Sequence, residues 1–115
     1  MKHRTDSEIA PELREAAIQF LGPLQTMQPI DVRAFERLHS LAVELMHTYK
    51  GNDRVSKSLL HELHTLPLII SAELQHRPAD RLALEQMAQK LEYCFSLLLL
   101  GEVPEDRKLG VPRIV

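Results

Sequence analysis

Tryptophan is absent from this sequence, and only 4% of its residues are aromatic. A core with so few rings has to be assembled from Leu, Ile, Val, Met and Ala. Glycine occurs four times. That excludes a fold built around a glycine-lined cofactor cradle, and no glycine-rich nucleotide fingerprint is present. A single cysteine, Cys94, excludes an internal disulfide and a thiolate-rich zinc site. Neither sign of charge dominates. The formal net charge is −2, and both signs are spread along the chain, where a dedicated nucleic-acid binder shows a basic stripe. Long apolar runs are missing too. The longest, residues 95–100 with Ser96 inside it, is far too short to span a bilayer. The first twelve residues, MKHRTDSEIAPE, lack the apolar centre of a signal peptide. These absences predict a soluble cytoplasmic protein with neither nucleic acid nor membrane as its partner.

What remains is enough for one domain. The chain has 115 residues, 44% of them hydrophobic, and leucine, a better helix former than strand former, is the commonest. The stretch from Arg81 to Leu100 organises the rest. Leu84, Met87, Leu91, Cys94 or Phe95, and Leu98 recur at steps of three and four, on one face of a helix. Pro78 stands where a first-turn proline belongs, and Gly101 where a helix stops.

Three further amphipathic segments precede it. Residues 1–6 are expected to be irregular, with Ser7 as the N-cap of a first helix. Ile9, Leu13, Ala16 or Ala17, Phe20 and Leu24 form its stripe, and Gly22-Pro23 ends or bends it. A second helix, capped by Asp31, is predicted over residues 32–50. Phe35, Leu38, Ala42, Leu45 and Tyr49 line its inner face, Arg33, Glu44 and His47 face solvent, and Gly51 follows as the left-handed residue. A third helix starts after a Ser cap near residue 56 and runs to about residue 77. Its stripe is Leu59, Leu63, Leu66, Ile70 and Leu74. Pro67 lies inside it, removes a donor and clashes with the carbonyl of Leu63, which predicts a kink or a split. The expected fold is an all-α antiparallel four-helix bundle, a single domain over residues 1–115, with an irregular tail from residue 101. In that tail Leu109, Val111, Ile114 and Val115 need cover, on the same bundle or on another subunit.

Six histidines raise the question of a metal. His61-Glu62-Leu63-His64 fails the metalloprotease pattern, which requires histidines four apart. Glu-x-x-His occurs at Glu36/His39, Glu44/His47 and Glu73/His76, as in carboxylate-bridged metal bundles. Only the first of these borders an apolar face, and such pairs also attract each other on a helix surface without metal. No metal or cofactor is therefore expected. Glu36, His39, His61 and His64 are the positions a metal would use. Cys94 falls on an apolar stripe, where cysteine behaves as a small hydrophobe. The loop from Lys50 to Ser58 is basic and enters a helix N-terminus, which suits an anion, but it lacks phosphate-loop spacing.

The functional expectation follows. With no catalytic constellation and a surplus of apolar surface, the chain reads as a non-enzymatic protein acting through protein–protein contacts, as a regulator, adaptor or toxin-neutralising partner. The alternative is a metal- or small-ligand-binding bundle. Leu97, Leu98, Leu99 and Leu100 cover the whole circumference of a helix, so they cannot all face one core. Leu68 and Ile69 with Leu97, Leu99 and Leu100 are the interface candidates, for a protein partner or a homodimer.

Overall fold

The computed structural model describes residues 4–106. Four α-helices make up the fold of the described residues: α1 (Asp6–Gln25), α2 (Val32–Thr48), α3 (Lys57–Glu73) and α4 (Arg81–Leu100). Single 3-10 turns follow α3, precede α4 and close the described chain at Pro104–Asp106. α1 packs on α2, α3 on α4, and α2 on α4. Along α1 and α2 the contacts run in opposite senses: Asp6 meets Tyr49, while the rings of Phe20 and Phe35 lie 5.3 Å apart.

The three- and four-residue periodicities predicted these elements because each helix buries one stripe. Ile9, Leu13, Ala16, Phe20 and Leu24 of α1 meet Phe35, Leu38, Ala42 and Leu45 of α2. Leu63 and Ile70 of α3, and Leu84 and Leu91 of α4, complete one continuous core. Asp31 caps α2 as expected, accepting from the Ala34 amide at 3.0 Å. Gly101 ends α4 with a left-handed φ of 67°.

Several boundaries differ from the expectation. The N-cap of α1 is Thr5, not Ser7, because Glu8 reaches back to the Thr5 amide in a capping box. Asp6 is therefore the first residue of α1, while Arg4 and Thr5, without regular secondary structure, make side-chain contacts ahead of it. Gly22-Pro23 does not stop α1, which continues to Gln25. It closes through the Gln28 amide on the Pro23 carbonyl at 2.9 Å, with Met27, not a glycine, at φ 61°. α3 is one helix through a buried Pro67, so the predicted split does not occur. Thr65 Oγ1 donates to the His61 carbonyl, one turn back, at 2.6 Å. Ser56 holds the cap position of α3, but its hydroxyl bonds that of Ser58 instead of capping. Pro78 opens a 3-10 turn that leads into α4 rather than the first turn of α4 itself. Past Gly101 the chain folds back and buries Val103. The apolar tail positions Leu109, Val111, Ile114 and Val115 lie outside the described residues.

Candidate functional site

α1 and α3 are not consecutive in the chain, and each spends its main stripe on other helices. Between them runs a groove of about 350 Å³. Leu13, Ala17 and Leu21 line it from α1, and Leu66 and Ile69 from α3. Arg14 Nε donates to Glu62 Oε1 at 2.5 Å and bridges the two helices at one end. His61 and Thr65 stand on the α3 wall. The small side chain of Ala17 leaves the floor low. Ile18, half a helical turn away from the core stripe, protrudes beside it with 71% of its surface exposed.

The interface candidates separate. Ile69 lines this groove, and Leu68, on the outer face of α3, is 56% exposed. Leu99 and Leu100 are exposed at the end of α4. Leu97 is not an interface residue: it is fully buried. α4 packs against both α2 and α3, so its buried arc spans about half the circumference and takes in Leu97 as well as Leu98. Ile18 is the residue that sequence reasoning missed. Its signal was an isoleucine placed opposite the Ile9, Leu13, Phe20 stripe.

A second, wider cleft of about 730 Å³ lies among the start of α1, the end of α2 and the loop before α3. Several of its polar groups are already engaged with one another. Arg4 donates to both carboxylate oxygens of Glu44, at 2.7 and 2.9 Å, and to Glu12. Glu44 therefore belongs to an ion-pair cluster and is not a plain solvent position. The other member of that pair, His47, is half-buried and stands 3.3 Å from Glu105. The Tyr49 hydroxyl donates to Asp6, and burial, then that contact, push its pKa up to about 12. In the basic loop, Lys50 Nζ donates to Asp106 at 3.1 Å. The Val103 amide, then Lys50, hold the Asp106 carboxyl below its ordinary value.

The metal positions are not brought together. Glu36 is exposed, and His39 stacks on Phe35 at 6.1 Å with its pKa lowered by burial and then by Lys90. His64 leans on Phe95 at 5.4 Å, away from His61 in the groove. Among the described residues, no three His, Cys, Asp or Glu side chains form a group that could hold a metal ion. Cys94 is buried in the core, and burial raises its thiol to about 11, far from a reactive thiolate. No helix among the described residues is long and apolar enough to cross a membrane. Comparisons with protein-family models, curated proteins and solved structures return no match.

Proposed function

We propose that this protein is a non-enzymatic helical binding module, a regulator, adaptor or toxin-neutralising partner, that works through the face formed by α1 and α3. One observation carries the reading: an apolar groove edged by the protruding Ile18, with the exposed Leu68 also on α3, has as its only charged lining residues Arg14 and Glu62, which pair with each other. The buried centres of protein–protein interfaces are distinguished by their depletion in charged residues. A few well-packed side chains carry most of the energy of such a contact, and Ile18, 71% exposed beside an apolar slot, is the position placed to be one of them.

The test is affinity capture from native host extract with a tagged copy, using wild type, Ile18→Arg and Leu82→Arg. Leu82 is 70% exposed on α4, away from the groove, and serves as the control. A protein, whether another chain or an untagged copy of this one, is expected with wild type and Leu82→Arg and lost with Ile18→Arg. Equal capture by a correctly folded Ile18→Arg overturns the assignment of this face.

A further inference from the structure

Resting on that reading of the α1 and α3 face, we infer that its occupant is a second copy of this chain, paired about a two-fold axis. The first observation is the distribution of charge. In a chain that is 26% charged, residues 16–30 contain no Asp, Glu, Lys or Arg, and neither do residues 63–72. The fold lays these two stretches side by side. At one border Arg14 and Glu62 neutralise each other at 2.5 Å. At the other, Arg77 is 7% exposed and spends its donors on the carbonyls of Pro23, Leu24 and Gln28. From Arg14 to Leu24, ten helical steps or about 15 Å, the face presents no free charge.

Self-pairing explains this distribution. A two-fold contact sets one patch against itself, so any net charge on it meets its own copy and repels. A patch whose only charges, Arg14 and Glu62, cancel each other avoids this cost. A partner chosen by electrostatic complementarity needs unpaired charged groups at the rim for steering and register, and the two that line this groove, Arg14 and Glu62, are spent on each other. An anionic membrane surface needs unpaired Lys or Arg beside the apolar residues, and the one basic side chain lining this face, Arg14, is paired with Glu62.

Shape is the second observation. Ile18 protrudes on the same face that holds the groove floored by Ala17 and Leu21. A protruding side chain and a receiving slot on one surface are what an isologous contact uses, since each copy then supplies both. The apolar stretch runs only about 15 Å along α1, so the contact is expected to be smaller than a standard interface of roughly 1,600 Å². The dimer is therefore expected to be concentration-dependent, with a dissociation constant in the micromolar range.

Sedimentation velocity from a few to several hundred micromolar tests this, with circular dichroism to confirm folding of each variant. The mass of wild type and of Leu82→Arg is expected to rise from 13.2 kDa toward twice that value. Ile18→Arg and Leu68→Arg, both at exposed positions, are expected to stay monomeric. A wild-type monomer throughout the range overturns the inference. A dimer that survives both substitutions overturns it too. If wild type stays monomeric but captures a different protein that Ile18→Arg loses, the binding-face reading stands and the second copy is ruled out as its occupant.

Discussion

The Gly51 amide donates to the Gly101 carbonyl at 2.9 Å, so the ends of α2 and α4 are joined through two glycines that both hold left-handed backbone. The positions are not equivalent. A Cβ on Gly51 would meet nothing within 4 Å, whereas one on Gly101 would stand 3.3 Å from the Gly51 nitrogen. Gly51→Ala should cost only the left-handed penalty, about 1–2 kcal/mol. Gly101→Ala should cost more, because the two chain ends must also separate. Urea unfolding of both variants checks the order.

Arg77 carries a second junction. Its guanidinium donates to the last carbonyls of α1 and, at 3.0 Å, to Asp80, and it thereby fastens the α1–α2 turn to the α3–α4 turn. A cation at the negative end of a helix is favourable, and a buried one must keep its partners. Arg77→Ala should destabilise the fold by about 3 kcal/mol, since several charged hydrogen bonds are lost together. Arg81→Ala, which removes an exposed pair with Glu85, should change stability by less than about 1 kcal/mol.

The four consecutive leucines offer a direct contrast. Leu97→Ala should cost roughly 2–5 kcal/mol, as for a buried leucine. Leu99→Ala, with 58% of its surface exposed, should stay within about 0.5 kcal/mol. Thermal unfolding of the pair measures both. Similar midpoints would mean that the buried arc of α4 is wrongly placed.

His39 predicts a pH response. Its ring lies against Phe35, and burial followed by the Lys90 charge lowers its pKa from 6.5. The unfolded chain then takes up the proton more readily than the folded chain. Stability from this group is fully present above 6.5 and falls as pH drops through 6.5 toward the lowered value. In His39→Gln the loss of stability with acidification should be shallower over that window. A slope identical to wild type in chemical unfolding from pH 7.5 to about 5 would remove His39 as the source.

The number of helices and their inner faces were legible in the sequence, because a repeat of three and four residues can bury only one stripe of a helix. Asp31, Gly51 and Gly101 were legible for a local reason: each satisfies a backbone requirement at its own position. Which apolar residues lie off the core was only half legible. Leu68 and Ile69 were found as apolar residues off the core stripe, but Leu97 looks the same in sequence and differs only through the second helix packed on α4. Ile18 and the groove depend on where α1 meets α3. No periodicity within either helix states that two segments separated by a whole helix will lie side by side.

Arg77 marks the same boundary from the other side. In sequence it is a basic residue before a proline. Only the approach of the α1 C-terminus turns it into a buried cap for carbonyls some fifty positions away. Short-range hydrogen bonding and side-chain period act within a turn or two of helix, and the sequence alone determined what they control. Ion pairs, grooves and the choice between buried and exposed at the edge of a stripe depend on distances between helices, and those were decided by how the four helices pack.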